Sequence, residues 1–399
     1  MKSAVNRIIR QFGFEIRRVA VAPHMERVSL KTEKAHRGNV LLAYILEPFL
    51  LKSGEPPSRS HTHHTESLLI AQVFLERGYD VDIIDYRNGS FRSDKDYSYF
   101  VSARTNFVRV SERLNKDCIK IAHLDTAHFL YNNAMAYRRL LELQRRRGIT
   151  STSIRVIEHN YAVEHADYLT MLGNQFTQST YSYAGKPVFQ LPLPTPNTFA
   201  LRKDKDFTAC RKRFLWLGSG GLVHKGLDLV LEVFRETPEC ELTVCGPLEA
   251  PSEQGFVQAF HRELYETQNI QAIGWVDVAS EQFERIANSC AALIYPSCSE
   301  GQAGAVITCL QAGLIPLISY ESGVDVDGFG TILDECSHVQ IKKAMMDLVE
   351  KSNDELADLS LRAHEYAKRN HSTESYRKAF DQVISKIEHG ENILENGVQ

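Results

Sequence analysis

Residues 213–226 read RFLWLGSGGLVHKG, an apolar run of strand length that leads directly into a glycine-rich turn. A continuous apolar run that ends at glycine is typical of a strand buried inside a parallel sheet. A helical pattern follows at residues 226–235, so the stretch predicts a strand–turn–helix unit. The backbone N–H groups of such a turn, together with the positive end of the helix, suit an anion.

The alternation of strand and helix continues beyond this unit. Repeated units of this kind predict a parallel sheet that is covered by helices on both faces. Amphipathic helices then continue from residue 339 to residue 387. The predicted strands lie at residues 241–245, 270–273, 292–295 and 315–319, and the helices between them at 254–266, 280–289 and 303–312.

The first half of the chain carries a second set of the same units. Residues 40–46 predict a buried strand, residues 68–78 a helix and residues 81–84 the next strand. Residues 26–37 are polar, and residues 52–64 form a loop rich in turn formers and histidine. Further predicted elements are strands at 97–102, 118–122, 153–157, 168–172 and 187–191, and an arginine-rich helix at 134–147.

A proline-rich segment separates the two halves. Pro192, Pro194 and Pro196 break any regular element, so we expect a linker over residues 192–207. The whole pattern predicts an α/β protein with two Rossmann-like, doubly wound domains that face a central cleft. We expect an N-terminal domain over residues 1–195, a C-terminal domain over 196–365, and a final helix and tail over 366–399 that pack back toward the N-terminal domain.

Composition limits the classes of function. The 399 residues suffice for two domains of about 150–200 residues each. Apolar residues make up 43% and charged residues 24%, as in ordered globular proteins. A net charge of −4 offers no basic field for nucleic acid. The 8 cysteines include no CxxC and no zinc-site spacing, so a reduced cytoplasm is expected. No apolar run reaches the length of about 18 residues that a membrane-spanning helix requires.

The N-terminal segment, residues 1–18, is basic and amphipathic. One interpretation is a helix that docks on its own protein. The other is a weak contact with an anionic membrane surface, because apolar side chains alternate with lysine and arginine. The expected location is therefore cytoplasmic, either free or peripheral at the inner face of the membrane.

Two loops in the second half carry residues that suit a charged ligand. In the first loop, Lys225 follows the glycine-rich turn and adds a positive charge within reach of a diphosphate. The alternative for this loop is a tight turn with a surface lysine. In the second loop, Glu300 stands just before a predicted helix. Its carboxylate could accept hydrogen bonds from sugar hydroxyls or stabilise positive charge on an anomeric carbon, or it could simply cap the helix.

The motifs between residues 213 and 319 resemble the donor-binding half of the retaining GT-B glycosyltransferases, also called group 1 or family 4. In the first half of the chain, the likeness is confined to EHADYLT at residues 164–170. The similar stretches of the second half are, in order, FLWLGSGGLVHKG at 214–226, LTVCGP at 242–247, IGWV at 273–276, YPSCSEG at 295–301 and QAGLIPLI at 311–318.

The resemblance implies a glycosyltransferase of the hexosyltransferase type. It would take a sugar from a nucleotide-diphosphate-sugar donor with retention, and it would require no metal or other cofactor. The acceptor would be a glycan or glycolipid of surface polysaccharide biosynthesis, bound by the N-terminal domain. The resemblance implies a catalytic Glu300 and a donor-binding set of Gly218, Ser219, Gly220, Gly221, Lys225, Gly246, Pro247, Glu300, Gly301, Gln302, Ala303, Gly304 and Thr308.

Two positions depart from the pattern of this family. The family's loop usually has an arginine or lysine before its Lys-Gly pair, whereas residues 219–223 contain none. Where a second glutamate usually holds the ribose hydroxyls, this chain has Thr308. Losing a charged hydrogen bond there would cost about 1–3 kcal/mol. A GT-B module that binds nucleotide sugar or glycan with little or no turnover therefore stays open as an alternative. A nucleotide-sugar epimerase is a third class.

Histidines are the candidates in the first half. His61, His63 and His64 fall in the predicted loop after the first strand, where acceptor contacts are expected, although metal binding or a plain surface loop are alternatives. His123 and His128 follow the predicted strand 118–122, where the family often has a functional histidine near the donor sugar. Structural histidines are the alternative for both. The arginines of the helix 134–147 could attract an anionic acceptor or form a solvated face.

Overall fold

The computed structural model describes residues 27–52, 55, 62–103, 105–151, 153–197, 199–202 and 204–390. The predictions for residues 1–18 and for His61 lie outside these ranges. The described chain forms two mostly parallel sheets with helices between the strands, which is the predicted α/β class. None of the described helices is both long enough and apolar enough to cross a membrane.

The first sheet consists of β1 (Arg27–Leu30), β2 (Gly38–Tyr44), β3 (Tyr79–Asp85), β4 (Tyr99–Ser102), β5 (Ile119–Leu124), β6 (Tyr168–Leu172) and β7 (Val188–Leu191). Its strand order is β1-β3-β2-β4-β5-β6-β7, and all neighbours are parallel except β1 and β3. The helices of this half are α1 (Thr62–Glu76), α2 (Phe107–Ser111), α3 (Phe129–Arg147), α4 (Ala162–His165) and α5 (Gln175–Ser179).

The second sheet consists of β8 (Arg213–Leu217), β9 (Glu241–Cys245), β10 (Ile270–Gly274), β11 (Ala292–Tyr295), β12 (Ile315–Ile318) and β13 (Thr331–Ile332). All its pairs are parallel, in the order β10-β9-β8-β11-β12-β13. The helices are α6 (Phe207–Cys210), α7 (Leu227–Arg235), α8 (Gln254–Ala259), α9 (His261–Tyr265), α10 (Glu281–Ser289), α11 (Gly304–Gln311), α12 (His338–Val349), α13 (Asn353–Asn370) and α14 (Thr373–His389).

The order of the second sheet reverses between β8 and β11. From β8 the chain proceeds outward through β9 to β10, and it then returns to place β11 on the other side of β8. The loops that leave two such strands diverge, so a crevice opens between them at the C-terminal ends of the strands. The glycine-rich loop that follows β8 and the loop that follows β11 therefore border the same crevice.

The structure departs from the predicted elements in several places. Residues 153–157 form no strand. Instead, the side-chain amide of Asn133 bonds both backbone groups of Ile157, at 2.8 Å each, and so takes the place of a strand partner. The polar stretch 26–37 contains edge strand β1, whose Val28 and Leu30 alternate with polar residues. The single helix predicted at 254–266 is two short helices that meet at Phe260.

Three arginines of α3 do not form the solvated face that was expected of this helix. Arg139 is buried and donates to the carbonyl oxygen of Pro296 at 2.7 Å. Arg146 pairs with Asp228 at 2.5 Å. Arg147 pairs with Glu263 at 2.9 Å. Each of these partners belongs to the second half of the chain, so α3 is bonded to the second sheet's helices and loops although it lies between two strands of the first sheet.

The last helix, α14, contacts α1 of the first half. Phe380 packs edge-on against Phe74, with ring centroids 5.8 Å apart. Arg77 donates to Asp381 at 2.7 Å and to Glu388 at 2.9 Å. These contacts attach α14 to the first half of the molecule. The domain boundaries near residues 195 and 365 stay a prediction.

Replacing Phe380 with alanine tests whether α14 is an integral part of the fold. The side chain is fully buried. Its removal should lower the free energy of unfolding by about 3–5 kcal/mol, the usual cost of a Phe→Ala cavity. Urea denaturation followed by circular dichroism measures this. Val339→Ala is the control because Val339 is 80% exposed. A Phe380→Ala variant as stable as this control would mean that α14 contributes little to the folded state.

Candidate active site between the two sheets

A cavity of about 340 Å³ lies between the two halves of the molecule. Its wall from the second half contains most of the residues predicted to bind a donor, and its wall from the first half includes Asp125, Arg155 and His63. Gly220, Gly221 and Pro247 are the predicted donor residues that do not line it. Those that line it are Gly218, Ser219, Lys225, Gly246, Glu300, Gly301, Gln302, Ala303, Gly304 and Thr308.

An ion pair between Lys225 and Glu300 forms the floor of this cavity. The Nζ atom of Lys225 donates to Oε1 of Glu300 at 2.5 Å and to the hydroxyl of Tyr295 at 2.7 Å. The same Oε1 atom accepts hydrogen bonds from Tyr295 at 2.9 Å and from Ser297 at 3.1 Å. Both charged side chains are almost fully buried. Thus the two residues singled out from separate loops of the sequence meet in space.

The charges of this cluster shift one another's pKa values. Burial and the charge of Arg155 together lower the pKa of Lys225 to about 8, although Glu300 opposes both. Burial alone would raise the pKa of Glu300, but Lys225 and Arg155 hold it well below its usual value. Burial lowers the pKa of His224 to about 4, so this neighbour is neutral at pH 7. The cluster therefore contains a lysine cation and a glutamate anion at neutral pH.

The glycine-rich loop offers an anion fewer backbone N–H groups than the sequence indicated. The N–H of Gly218 donates to Cys245 at 3.0 Å, and that of Gly221 donates to the carboxylate of Glu253 at 2.6 Å. Helix α7 begins only at Leu227, because Gly226 is in the left-handed region with φ 72°. A Cβ atom at Gly226 would lie 2.5 Å from the carbonyl oxygen of Pro296, so only glycine lets the two loops approach this closely.

The loop that follows β11 is bonded to the first half of the chain. The N–H of Ala127 donates to the carbonyl oxygen of Glu300 at 3.2 Å, and the hydroxyl of Thr177 donates to that of Gly301 at 2.9 Å. A Cβ atom at Gly301 would collide with the carbonyl group of Asp125. This contact closes one side of the cavity and requires a residue without a side chain.

Two of the predicted donor-binding residues in this loop have polar groups that are already hydrogen-bonded within the protein. The N–H of Ala303 donates to Ser322 at 2.9 Å. The amide of Gln302 is also committed, because its oxygen accepts from Leu193 at 2.7 Å and its nitrogen donates to Gly323 at 3.2 Å. Gln302 therefore fixes the loop to its surroundings. Thr308 lies on α11, is 5% exposed and lines the cavity.

Two histidines of the first half, His63 and His123, form a network around the buried Glu66. His63 Nδ1 lies 3.0 Å from Glu66 Oε1, and His123 Nε2 lies 3.1 Å from Oε2. The other ring nitrogen of His123 is 2.9 Å from the hydroxyl of Thr170. Both nitrogens of His123 are thus engaged and its side chain is 1% exposed. His123 is therefore placed to position Glu66 and does not line this first cavity, whereas His63 does.

His63 and His64 lie in the first turn of α1, not in a loop as predicted. The helix starts earlier than its apolar pattern indicated, because polar residues occupy that turn. Of these two histidines, His63 lines the 340 Å³ cavity and His64 does not.

A second cavity of about 300 Å³ lies at the C-terminal ends of the strands of the first sheet. His128 and His123 line it, and it shares Asp125 and Thr126 with the first cavity. His128 caps α3 by accepting from the N–H of Leu130 at 3.3 Å, and burial lowers its pKa. The two cavities therefore meet at one wall, and His128 is a neutral side chain on the far side of that wall.

Sequence reasoning missed two prominent residues of the first cavity. Trp275 lines it and is 56% exposed, although the sequence had indicated only a short strand there. Arg155 reaches it from the irregular segment that was predicted to be a strand. The guanidinium Nη2 of Arg155 lies 3.7 Å from Oε2 of Glu300, and Nη1 donates to the carbonyl oxygen of Gly220 at 3.4 Å. The Gly274-Trp275 pair after a predicted strand was a usable signal, whereas no motif marks Arg155.

Within the described residues, no group of three or more His, Cys, Asp or Glu side chains could hold a metal ion.

Two solved structures illustrate the fold to which this arrangement belongs. Sucrose-phosphate synthase from Thermosynechococcus elongatus matches with a TM-score of 0.64 and 10% sequence identity, over 89% of this chain and 100% of that chain. HepE from Anabaena, in complex with UDP-glucose, matches with a TM-score of 0.55 and 10% identity, over 88% and 100%. At such identities the likeness shows the fold alone, and that fold is GT-B. No family model and no curated protein matches the sequence significantly.

The Glu66 network generates a prediction about acid stability. Burial would raise the pKa of Glu66, but the charge of His63 and the hydrogen bonds of His123 and His63 lower it from 4.5 to about 2. At about 1.4 kcal/mol for each pH unit, ionised Glu66 contributes about 3 kcal/mol, present in full above pH 4.5 and lost as the pH falls toward 2. Glu66→Gln should therefore be less stable at pH 7 and should lose less stability on acidification.

Urea denaturation at several pH values between 7 and 2.5 measures this. Glu76→Gln is the matched control, because Glu76 lies on the same helix with 47% of its side chain exposed. Its effect should stay below about 1 kcal/mol, as for a surface ion pair. Parallel pH profiles for Glu66→Gln and the wild type would contradict an ionised, stabilising Glu66.

Proposed function

We propose that this protein is a retaining glycosyltransferase of the family 4 type, which transfers a sugar from a nucleoside-diphosphate sugar to a glycan or glycolipid. The observation that carries the proposal is the buried Lys225–Glu300 pair at the strand-order reversal of the second sheet, in the cleft of a GT-B fold. Comparison adds support, because HepE, which shares this fold, is described with UDP-glucose bound.

The donor would occupy the cavity of the second half. Lys225 would contact the diphosphate and stabilise the negative charge that develops on it as the sugar leaves. The exposed indole of Trp275 offers an apolar face to the nucleobase. Thr308, on the cavity wall, would reach the ribose. Gly218 and Gly246, which have no side chain, would let the donor approach the backbone closely, and Ser219 and the 301–304 turn would line its pocket.

Glu300 would act on the sugar through its Oε2 atom. Its Oε1 atom already accepts hydrogen bonds from three side chains, which fixes the orientation of the carboxylate. The free face of Oε2 would then accept from a sugar hydroxyl or stabilise positive charge at the anomeric carbon. His63, which lines the same cavity from the first half, is the histidine that we propose near the sugar.

The acceptor would occupy the second cavity, which meets the first at Asp125 and Thr126. His128 lies on its wall and is neutral at pH 7 because burial lowers its pKa. We propose that protein cations neutralise the leaving diphosphate without a metal, so EDTA should not affect turnover. Hexosyl transfer, a role in surface polysaccharide synthesis and a cytoplasmic location, with or without membrane contact through residues 1–18, stay predictions.

Nucleotide binding is the first test. Stabilisation of the wild type should appear with one of UDP, GDP, ADP or CMP in a thermal unfolding assay, because ligand at about 100 times its Kd adds about 2.7 kcal/mol. Lys225→Ala should abolish the shift, since it removes the buried cation opposite the diphosphate. Lys212→Ala, an exposed lysine of the same half, should retain it. A wild type that responds to no nucleotide would rule out a nucleotide-sugar donor.

Turnover separates a transferase from a binding module. The wild type, given the sugar nucleotide of the base found above, should release nucleoside diphosphate, and an added glycan acceptor should receive the sugar with its anomeric configuration retained, as seen by NMR. Glu300→Gln should slow release by about a hundredfold, the usual cost of removing an electrostatic group from a transition state.

Nucleoside diphosphate binding by Glu300→Gln should persist at pH 7, because the substitution removes a negative charge from the site. Glu335→Gln, an exposed acid of the same half, is the control for turnover. Tight binding of the sugar nucleotide by the wild type without any release would instead favour the GT-B binding module.

A further inference from the structure

The cavity that would hold a diphosphate has little positive charge on its second-half wall. Lys225 is the one basic residue between positions 219 and 226, apart from His224, whose lowered pKa keeps it neutral. Lys225 is already paired with Glu300, so their charges sum to zero. A diphosphate ester with two sugar or nucleoside substituents carries two negative charges. Entry of that group into a neutral, mostly buried site would be costly.

Arg155 supplies a second cation beside this pair. Lys225 contacts Oε1 of Glu300, and Arg155 approaches Oε2 of the same carboxylate at 3.7 Å. Its side chain also lies against Gly221, where an added Cβ atom would be 3.2 Å from Cδ of the arginine. The two cations thus flank one carboxylate at the mouth of the glycine-rich loop, and Arg155 makes the net charge of the cluster positive.

The backbone that carries Arg155 is held from both sides. The side-chain amide of Asn132 donates to the carbonyl oxygen of Arg155 at 3.2 Å. Two residues earlier, the hydroxyl of Ser153 donates to Glu253 at 3.0 Å, and the same carboxylate accepts the N–H of Gly221. Glu253 therefore joins the Arg155 segment to the loop that follows β8. This double anchorage fixes where the guanidinium can reach.

The guanidinium of Arg155 makes few hydrogen bonds within the described part of the protein. Within the described residues, its one hydrogen bond is to the carbonyl oxygen of Gly220, at 3.4 Å, and its side chain is 39% exposed. Most of its N–H donors are therefore available to a ligand in the cavity that it lines. An arginine in this condition suits a phosphate, because its planar fork can donate two parallel hydrogen bonds to phosphate oxygens.

We propose that Arg155, which belongs by sequence to the first half of the chain, is a ligand of the donor diphosphate and acts together with Lys225. It supplies in space the second basic group that residues 219–223 lack. The inference rests on the proposed function, because it concerns the same donor site. The irregular segment around Arg155 is thus a part of the donor site, although it lies outside the motifs of the second half.

The test compares a nucleoside diphosphate with the nucleoside that lacks its phosphates. Isothermal titration measures the Kd of UDP, GDP and ADP for the wild type, Arg155→Ala, Arg155→Lys and Lys225→Ala, and competition experiments measure uridine, guanosine and adenosine. Arg155→Ala should weaken diphosphate binding by about tenfold to a hundredfold, as for a lost charge-assisted hydrogen bond, and should leave nucleoside binding within about twofold.

Arg155→Lys should bind the diphosphate with intermediate affinity, since it keeps the charge and loses the fork. Arg138→Ala is the matched control, because Arg138 is an exposed arginine of α3 that pairs with Glu142 on the same helix. Thermal unfolding of each unliganded variant confirms that it folds.

The outcomes separate this inference from the function on which it rests. A wild type that binds none of the three diphosphates overturns the proposed function, and the inference with it. A wild type that binds one of them, with loss in Lys225→Ala but wild-type affinity in Arg155→Ala, overturns the inference alone. Equal weakening of the diphosphate and the nucleoside in Arg155→Ala also overturns it, because it would show that Arg155 only shapes the cavity.

Discussion

The ion pair between Lys225 and Glu300 constrains the whole second half of the molecule. Two charges are removed from water there. Such a pair is tolerated only when its geometry is good and its remaining hydrogen-bond donors and acceptors have partners. Tyr295 and Ser297 satisfy the shared oxygen of the carboxylate. Loss of either charged partner would leave the other buried and uncompensated. The loops that follow β8 and β11 must therefore stay in contact, and Gly226 is the residue that lets them do so.

Each half of the molecule contains a buried carboxylate that lies between two basic side chains. Glu66 in the first half lies between His63 and His123, and Glu300 in the second half lies between Lys225 and Arg155. Both carboxylates keep a lowered pKa in spite of burial, because two basic groups flank each of them. Rigid anions of this kind hold their basic neighbours in fixed positions beside the cleft. Such preorganisation is what electrostatic stabilisation of a transition state requires.

The sequence predicted those features that depend on local pattern. Short apolar runs located most strands of both sheets, and the resemblance to the GT-B transferases placed Lys225 and Glu300 in one donor-binding set. Arg155 could not be found in this way. Its position depends on amide groups of Asn132 and Asn133 that bond a segment resembling a strand, and these contacts are tertiary. Nor does a sequence reveal that both ring nitrogens of His123 are already bonded.

The packing of α3 determines how the cleft could open. Arg139, Arg146 and Arg147 bond this helix to the second half, and Ser153 bonds the segment after it to Glu253. Asp228 is buried, so a separation that removed Arg146 from it would leave a charge that water compensates only in part. A hinge motion that preserved these pairs would carry the α3 segment together with the second sheet.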